Sequence, residues 1–555
     1  MSIRYRLNLS AAAVRSIAAC VVLLAYTACN QADAPPAMHH LVFGGDVLLG
    51  NNLNTALYDD QARGRIFGDL VPLFRGADVA IVNAEGVIAR GGDFFDKGDP
   101  VPHCFRAHPL AIHALHGAGI DVVSVGNNHV GDYGRAAFAE MLDRLDAAGI
   151  AYTGGGRDET EARRPAYLHV DGTVVAFIGA NMTSAGPVRA IGNQPGNLFF
   201  PDPQERNAAA TEATLVALLR EARRHAHLVF LTPHWGSGWS EETSPAIRAL
   251  AHRLIAAGYD GILGHSSHRI HGAEVIGGRP VLYDAGNLTV YWTDDAGPSN
   301  HGLVFDLAFD RRGVTEVRAL PVLLTENRTD LARGTLATSI LNRYVRLSAG
   351  LGTRTTVDGG VATFTCDPGP IHEPEEPHHR TPPSPGTAIR EAPTTFSVDA
   401  VPPTARPLAA TFDNGARLVG ARVEPPAIPR RQPSLLVTLY WTASGPIVPG
   451  ALIRLEAHGR EARGRPRRAR FDHLPGDWML PMAQWAPDSI VRDRTILRLG
   501  AKWEGEVELR VGVEGARPTD AGGLPVAGDL LSLGTVPIVP QGPGLLDVLR
   551  AARLP

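Results

Sequence analysis

Between residues 39 and 322, short runs of apolar and β-branched residues alternate with longer segments in which apolar residues recur at helical spacing. The first pattern is typical of buried strands and the second of amphipathic helices, so the alternation predicts a layered α/β domain. The predicted strands cover residues 41–44, 78–82, 121–125, 174–178, 228–231, 261–263 and 281–283. The predicted helices cover residues 109–118, 135–148, 203–225 and 245–257.

The pattern changes twice in the C-terminal half of the chain. Residues 351–407 are rich in Pro, Thr, Glu and His, a composition that forms no apolar core and predicts a linker. Beyond it, alternating runs separated by Gly and Pro turns predict an all-β sandwich. The predicted organisation is an α/β domain at 39–350, a Pro-rich linker at 351–407, a β-sandwich at 408–540 and a tail at 541–555.

The first 38 residues have the layout of an export signal. Arg4, Arg6 and Arg15 precede an apolar run at 16–26, which is followed by small residues and Cys29. The run is shorter than the roughly 20 residues that span a bilayer. The end of the run resembles a bacterial lipoprotein cleavage box, which predicts a lipid on Cys29 that attaches the protein to a membrane. Ordinary secretion or a periplasmic location is the alternative, and both place the protein in the cell envelope.

Composition narrows the function classes. The chain is 44% hydrophobic and carries a formal net charge of −4, which is typical of globular domains and excludes a protein built to neutralise nucleic-acid phosphates. Outside the leader, the cysteines are Cys104 and Cys366, and the sequence leaves their pairing open.

Polar side chains capable of binding metal follow five of the predicted strands. Because open α/β sheets place their ligand crevices at the carboxyl ends of strands, we expect these side chains to converge on one edge. Carboxylates, an amide oxygen and imidazoles together suit a divalent ion such as Mn, Zn or Fe. The candidate residues, with one or two ions as the predicted cofactor, are Asp46, Glu85, Asn128, His129, His234, His265 and His268.

These residues lie in motifs whose order and spacing resemble the CapA-type capsule synthesis (poly-γ-glutamate) family over about 39–325. The motifs are Gly45-Asp46-Val47, Asn83-Ala84-Glu85, Gly126-Asn127-Asn128-His129, His234-Trp235-Gly236, Gly264-His265-Ser266-Ser267-His268 and Tyr283-Asp284-Ala285-Gly286-Asn287. That family is itself similar to calcineurin-like metallophosphoesterases. The resemblance therefore implies a metallophosphoesterase-like layered α/β sandwich, followed here by the C-terminal all-β sandwich.

The resemblance also implies a role for each residue. Asp46 and His268 would bind one metal, Glu85 would bridge, and Asn128, His234 and His265 would hold the second metal. His129, beside Asn128, would be the catalytic general acid. Two metals about 3.5–4 Å apart clamp both in-line oxygens of a phosphoryl transfer, and a neighbouring imidazole protonates the leaving group.

Two departures from the phosphoesterase pattern leave the number of metals open. Leu48 stands where those enzymes have a histidine two residues after the first aspartate. The last histidine motif has one extra residue, so His268 need not project as in a Gly-His-x-His turn. A single-metal site held by Glu85, Asn128, His234 and His265 is the alternative.

Three further residues are candidates for substrate binding. Arg106 could bind a carboxylate or phosphate through its bidentate guanidinium, and a surface ion pair is the alternative. Tyr133 and Trp235 could line the substrate pocket, and packing in the hydrophobic core is the alternative for both.

Three functions are compatible with these observations. The first is a metal-dependent hydrolase acting on a phosphoester, or on an amide-linked polymer, in the cell envelope. The second is a non-catalytic component that binds or exports an anionic polymer such as poly-γ-glutamate or a capsular glycan through a degenerate metal site. The third is a scaffold or adhesin whose working part is the β-sandwich.

Overall fold

The computed structural model describes residues 38–540 with gaps. The predicted leader with Cys29 and the predicted tail at 541–555 lie outside the described residues. The gaps within 38–540 are 95–102, 184–187, 205–207, 290–299, 380–387, 393, 395, 431–432, 444, 446, 448–449, 462–463 and 500–501.

The N-terminal half contains the predicted alternation of strands and helices. Its helices are α1 (Leu53–Leu57), α2 (Asp60–Arg63), α3 (Val71–Gly76), α4 (Ala111–Ala118), α5 (Gly134–Ala148), α6 (Glu159–Ala162), α7 (Ala208–His225), α8 (Pro245–Ala257) and α9 (Gly334–Gly350). Its strands are β1 (His39–Val47), β2 (Val79–Ala84), β3 (Val87–Ile88), β4 (Arg106–Ala107), β5 (Val122–Ser124), β6 (Ala151–Thr153), β7 (Gly155–Gly156), β8 (Ala166–Val170), β9 (Thr173–Met182), β10 (Gly196–Asn197), β11 (Leu228–Trp235), β12 (Gly261–Leu263), β13 (Ala273–Ile276), β14 (Arg279–Leu282), β15 (His301–Asp310), β16 (Gly313–Thr325), β17 (Arg328–Leu331), β18 (Thr356–Asp358) and β19 (Val361–Thr365). The mixed α/β class predicted from the sequence is confirmed.

Two sheets organise this domain. The first has the order β18-β19-β16-β15-β1-β2-β5-β6, with β17 beside β16, and the second has the order β13-β14-β12-β11-β9-β8. Strands β1, β2, β5 and β6 are parallel neighbours, as are β9, β11, β12 and β14. Each parallel set therefore presents its carboxyl ends in one direction.

Three apolar cores show how the sheets are layered. Phe43 of β1, Phe177 of β9 and Phe230 of β11 share one core between the two sheets. The opposite face of the first sheet packs against α3, α4 and α5, and the opposite face of the second packs against α7 and α8. The domain is therefore layered as helix, sheet, sheet and helix, because each sheet is apolar on both faces.

The predicted start and stop of α8 are confirmed. The Ser244 hydroxyl accepts a hydrogen bond of 3.3 Å from the Ile247 N–H, and Pro245 occupies the first turn. Gly258 ends the helix in a left-handed conformation, with φ of 120°.

The C-terminal half is the predicted strand-rich domain. Its strands are β20 (Ser397–Val398), β21 (Arg406–Phe412), β22 (Ala416–Glu424), β23 (Ile428–Pro429), β24 (Ser434–Ala443), β25 (Ile453–Glu461), β26 (Pro466–His473), β27 (Ile490–Arg498), β28 (Trp503–Val513), β29 (Pro518–Asp520), β30 (Val526–Ala527) and β31 (Leu530–Val539). One sheet has the order β20-β27-β24-β22-β21-β29, and the other has the order β23-β31-β28-β25-β26, with β30 beside β31. A shared apolar core that includes Trp441 and Val511 joins them.

The linker differs from its predicted start at residue 351. Strand β19 pairs with β16 and β18 pairs with β19, so the first sheet of the α/β domain continues to Thr365. The composition rule missed this addition because β18, the edge strand, is exposed throughout and β19 is only partly buried, so the two strands contribute few apolar side chains. Cys104 and Cys366 form no disulfide in the described part of the chain. Among the described residues, no helix is both long enough and apolar enough to span a membrane.

Candidate metal centre

The candidate ligands lie at the carboxyl ends of strands, but these strands belong to both sheets. Asp46 is in β1, and Glu85 directly follows β2. His234 is in β11 and His265 lies two residues after β12, in the second sheet. The expected single edge is therefore two sheet edges that meet, and an isolated bridge between His234 and His265 joins the ends of β11 and β12.

Two glycines allow the backbone to close around this centre. A Cβ atom on Gly45 would lie 1.9 Å from the carbonyl oxygen of Gly286, and one on Gly264 would lie 2.2 Å from that of Tyr283. Both distances are too short for any side chain, so only glycine fits. Each glycine immediately precedes a candidate ligand, Asp46 or His265, and thereby lets that ligand enter the centre.

Two groups of side chains have the geometry of a metal site. Asp46, His234 and His265 form one group, and Asp46, Glu85 and His268 form the other. In each group the ligand atoms all lie within 4.8 Å of one another. The resemblance implied that Glu85 is the bridging acid, whereas the geometry makes Asp46 the carboxylate common to both groups.

The distances from Asp46 show its central position. Its Oδ1 lies 3.7 Å from His265 Nδ1 and 4.0 Å from His234 Nδ1. Its Oδ2 lies 3.3 Å from His268 Nδ1. One carboxylate oxygen thus faces each group, which is the arrangement that a bridging carboxylate requires.

His268 reaches the centre despite the extra residue in its motif. Ser266 has φ of 117° and His268 has φ of 58°, both left-handed values. These two residues absorb the extra length and turn the imidazole inward, so that its Nε2 lies 3.8 Å from Glu85 Oε1. Sequence spacing alone could not show this turn, because left-handed serine and histidine residues are uncommon.

Neighbouring polar groups hold the candidate ligands in place. Asn83 Nδ2 donates to Asp46 Oδ1 at 2.8 Å, and His268 Nδ1 lies 2.9 Å from Asn287 Oδ1. Thr232 Oγ1 lies 3.1 Å from His265 Nε2. Such outer contacts fix the orientation of metal ligands in proteins.

The surroundings of Glu85 show whether this centre is suited to bind a cation. Its side chain is 2% exposed, and neither carboxylate oxygen accepts a hydrogen bond from the described residues. Burial, and then the charge of Asp46, raise the pKa of Glu85 well above its ordinary value. A buried carboxylate without hydrogen bonds is costly unless a cation lies beside it, so the donor set fits a divalent metal.

The pKa values of Asp46 and His268 are shifted by the electrostatic attraction between these two side chains. Burial opposes the charge on both residues, yet their mutual attraction prevails. The pKa of Asp46 is lowered by the hydrogen bond and charge of His268, and the pKa of His268 is raised to about 10 by Glu85 and Asp46. In the metal-free centre the His268 imidazolium supplies positive charge between two carboxylates, and it would release its proton when a cation takes that place.

The other two histidines are suited to coordination. Burial lowers the pKa of His265 to about 4, and burial together with the nearby His265 lowers the pKa of His234 well below its ordinary value. Both imidazoles are therefore neutral near pH 7, the form that binds metal. Asn128 Oδ1 lies 2.8 Å from His234 Nε2, so the predicted amide ligand reaches the same group.

His129 lies beside the two groups with a fixed orientation. Its Nδ1 is 2.8 Å from Asp132 Oδ2, and its Nε2 is 3.9 Å from Glu85 Oε1. Asp132 Oδ2 also accepts a hydrogen bond from the Phe105 N–H at 2.7 Å. The ring of Phe105 lies 4.6 Å from that of His129, so one side of the imidazole is apolar.

Leu48 forms part of this apolar side. It is 5% exposed, contacts Phe105, and donates its N–H to Thr289 Oγ1 at 2.9 Å. The position where phosphoesterases have a histidine is therefore packed with hydrocarbon.

The three predicted substrate residues are buried in different surroundings. Trp235 is 2% exposed and donates Nε1–H to the Tyr283 carbonyl at 2.9 Å, and it lines a cavity of about 190 Å³. Tyr133 is 4% exposed, and the Arg106 guanidinium lies 4.2 Å from the centre of its ring. Neither Tyr133 nor Arg106 belongs to the two groups of candidate ligands.

Arg106 instead takes part in the junction between the two domains, defined here by Asp93, Arg106, Asp477 and Arg494. Its Nη1 donates to the Gly91 carbonyl at 3.0 Å, and its Nη2 lies 3.8 Å from Asp477 Oδ2. Arg494 Nε donates to Asp477 Oδ2 at 3.0 Å, and Arg494 also pairs with Asp93. This domain junction is a buried ionic network that joins the sandwich to the α/β domain.

Sequence reasoning assigned no role to Asn83 or Asp132. Asn83 supports Asp46, and Asp132 supports His129. Asp284 accepts the Ser267 N–H at 2.7 Å, and burial with the charge of Asp46 raises its pKa to about 8. Asn83 and Asp284 lie within the quoted motifs, and Asn83 follows the same strand-end rule as the ligands, so the rule could have found it.

Comparison with known proteins supports the resemblance. Residues 40–291 match the family described as bacterial capsule synthesis protein PGA_cap. A probable polyglutamine synthesis accessory protein of Mycobacterium tuberculosis (strain CDC 1551 / Oshkosh) is 34% identical over 215 residues, which cover 38% of this chain and 55% of that protein. The PGA biosynthesis protein CapA of Bacillus subtilis (strain 168) is 24% identical over 275 residues, which cover 48% of this chain and 69% of that protein.

These likenesses concern the α/β domain. The chain spans about half the length of the mycobacterial relative, 55%. A hypothetical protein from Thermus thermophilus aligns with a TM-score of 0.27 and 15% identity, over 52% of this chain and 96% of that protein, and so low a score carries no argument. Through residues 40–291, the chain is similar to the CapA-type bacterial capsule synthesis family.

Proposed function

We propose that the α/β domain is a metal-dependent hydrolase of the metallophosphoesterase type that acts on a phosphoester in the cell envelope. The observation that carries this proposal is the shared position of Asp46 in two adjoining groups of candidate ligands. A structural ion pair would need one partner for Asp46, whereas this carboxylate faces His234, His265 and His268. Such convergence on one buried carboxylate is typical of a metal centre.

The proposal assigns the ligands to two positions. Asp46, His234 and His265 hold one divalent ion, with Asn128 beside His234, and Asp46, Glu85 and His268 hold the other. When bound, such ions supply Lewis-acid stabilisation of the charge that develops on phosphoester oxygens. The buried carboxylates of Asp46 and Glu85 would balance the positive charge of such ions.

His129 is the proposed proton donor to the leaving group. Because its Nδ1 is bound to Asp132, its Nε2 is the nitrogen directed toward Glu85 and the candidate ligands. Asp132 also stabilises the protonated imidazole, as a carboxylate partner does for a catalytic histidine. Phe105 restricts the rotation of the ring by packing against it.

We further propose that the protein is exported and works in the bacterial cell envelope, with a lipid on Cys29. The support is the leader layout of residues 1–38 and the similarity of residues 40–291 to capsule synthesis proteins. The corresponding partners are a phosphoester or an anionic envelope polymer, and the membrane through Cys29.

A second candidate function is binding or export of an anionic polymer without turnover. The observation that favours it is Leu48, which packs against Phe105 where a phosphoesterase has an additional imidazole. In that case the centre is degenerate, and the buried polar groups serve only to shape the polymer site.

Elemental analysis and turnover together test the two candidates. We expect purified protein to contain one or two equivalents of Mn, Zn or Fe, and His265→Ala to lose most of it. His129→Gln should keep the metal and slow hydrolysis of an alkyl phosphate, whose alkoxide leaving group needs a proton, by about 10²–10⁴-fold. His113→Gln, at an exposed position of α4, is the matched control and should change neither. Absence of metal after supplementation with Mn or Zn would refute the hydrolase.

A further inference from the structure

A tryptophan lies exposed beside the candidate metal centre. Trp239 is 44% exposed, although most large apolar side chains in this domain are buried. Its ring lies 5.1 Å from the ring of His268. An exposed aromatic side chain next to a candidate ligand is placed to contact a bound molecule rather than to stabilise the core.

The backbone around Trp239 is specifically shaped. Trp239, Ser266 and His268 have φ values of 67°, 117° and 58°, and they are three of the eight described non-glycine residues with positive φ. The Trp239 N–H donates to the Ser267 carbonyl at 2.7 Å, which ties the two strained segments together. Strain of this kind costs about 1–3 kcal/mol per residue and clusters at functional sites.

Arg269 lies next to Trp239 and shares the carboxylate of Glu241 with a second arginine, Arg343. The Arg269 guanidinium carbon lies 5.6 Å from the centre of the Trp239 ring. Glu241 Oε1 is 3.7 Å from Arg269 Nε, and Glu241 Oε2 is 2.6 Å from Arg343 Nη1. The arginine side chains are 14% and 22% exposed, whereas that of Glu241 is 57% exposed.

The exposed fractions of these three side chains show that the carboxylate of Glu241 faces the solvent and the two arginines do not. The two guanidinium groups are mostly buried, and the single carboxylate that pairs with both of them lies on the solvent side. A ligand carboxylate could replace Glu241 without changing the net charge at the two arginines, and a phosphate group, with a charge of about −1.5 to −2, would balance both guanidinium groups. Arginine forks bind carboxylate and phosphate with similar geometry.

We propose that Trp239, Arg269 and Arg343 form an anion subsite that Glu241 occupies until substrate binds. The expected substrate has its reacting bond at the metal centre. The part of the substrate next to that bond carries a carboxylate or phosphate group and has a flat or apolar face. This inference rests on the proposed function, because it extends the same site. The arginines bind the oxyanion, and Trp239 packs against the apolar face.

The test measures binding of phenyl phosphate, phenylacetate and inorganic phosphate to the metal-free full chain by calorimetry. Arg269→Gln should weaken binding of the preferred phenyl probe about tenfold or more, because it removes a charged fork. Glu241→Gln should tighten it about two- to fivefold, because the competing carboxylate is gone. Trp239→Leu should weaken binding of the phenyl probe and leave inorganic phosphate unchanged.

Control variants separate this inference from a folding defect and from failure of the proposed function. Arg269→Lys keeps the charge without the fork and should bind with intermediate affinity. Arg253→Gln, which breaks a pair with Glu212 outside the subsite, should bind like the wild type. Preference for phenyl phosphate or phenylacetate identifies the anion as phosphate or carboxylate. If Arg269→Gln and Glu241→Gln both bind the phenyl probe with the affinity of the wild type, the anion subsite is wrong. If the protein contains no metal but binds the probe as expected, only the hydrolase proposal is refuted.

Discussion

The candidate metal centre and the domain junction both bury charged side chains, but they satisfy them differently. At the domain junction, the Asp477 carboxylate accepts the Arg494 N–H at 2.8 Å and the Arg494 Nε–H at 3.0 Å. At the metal centre, both oxygens of Glu85 are buried without a hydrogen bond from the described residues. One network is nearly complete within the chain, and the other leaves a carboxylate unsatisfied.

This difference separates structural from functional charge. A buried ion pair whose hydrogen bonds are satisfied holds two elements together, and its removal is costly. A buried carboxylate that the chain leaves unsatisfied makes the metal-free fold less stable and prepares a site for a cation. The same residue types thus have opposite effects on stability, depending on how completely their neighbours satisfy them.

The largest expected effect is at the domain junction. Asp477→Asn leaves Arg106 buried without a carboxylate and Arg494 with only the half-exposed Asp93, so it should lower the free energy of unfolding by about 3–5 kcal/mol. Urea denaturation followed by circular dichroism measures the loss. Asp472→Asn is the control, since it removes a partly exposed pair with Arg470 and should cost under about 1 kcal/mol. Equal losses in the two variants would show that the junction is no more than a surface contact.

The next effect has the opposite sign and concerns the metal centre. Glu85→Gln should raise the free energy of unfolding of the metal-free protein by about 1–3 kcal/mol near pH 7, because it removes a buried charge that accepts no hydrogen bond. Since the pKa of Glu85 is raised above its ordinary 4.5, its carboxylate destabilises the fold above that pH, and the penalty fades as the pH falls. The variant should also lose the stabilisation that added Mn or Zn gives the wild type.

Glu140 supplies the matched comparison for Glu85. It is an equally buried carboxylate, but it accepts hydrogen bonds of 2.8 Å from the N–H groups of Arg90 and Ala392 and from Arg144 Nε. Glu140→Gln should therefore destabilise the protein, and the metal should have no influence on the loss. Destabilisation of the metal-free protein by Glu85→Gln would contradict the distinction between the two regions.

The smallest expected effect is a pH dependence near the domain junction. His473 Nε2 lies 2.8 Å from Asp493 Oδ2, and burial opposes its charge, but the charge and hydrogen bond of Asp493 raise its pKa above 6.5. The contribution of this pair is therefore fully present below pH 6.5 and is lost as the pH rises through the raised pKa. His473→Gln should lower the free energy of unfolding by about 1 kcal/mol more near pH 6 than near pH 9. Urea titrations of wild type and variant at both pH values measure this difference, and a pH-independent loss would contradict it.

Local sequence patterns predicted much of the fold. The predicted strand at 228–231 lies within β11, and the predicted helix at 245–257 is α8 with the expected bounds. Strand β19 was missed because its pairing with β16 joins residues far apart in the chain. The spacing of apolar residues, every second residue in a strand or every three to four in a helix, shows which face of an element is buried. It does not show which other element packs or pairs with it.

The sequence by itself determined which residue types stand at the strand ends. Asp46, His234 and His265 follow or end apolar runs, so their placement at carboxyl ends is a local property. The glycines that precede Asp46 and His265 can also be read from the sequence, but the close backbone approaches that require them are tertiary contacts with Gly286 and Tyr283.

Only the tertiary structure decided which of these residues share a site. It brought the ends of two sheets together, made Asp46 common to both ligand groups, and turned His268 inward through left-handed backbone. It also placed Arg106 against Asp477, which lies 371 residues away in the chain. The physical reason is that a buried charge is stabilised by whatever lies within a few ångströms, and in a folded chain those neighbours come from distant segments.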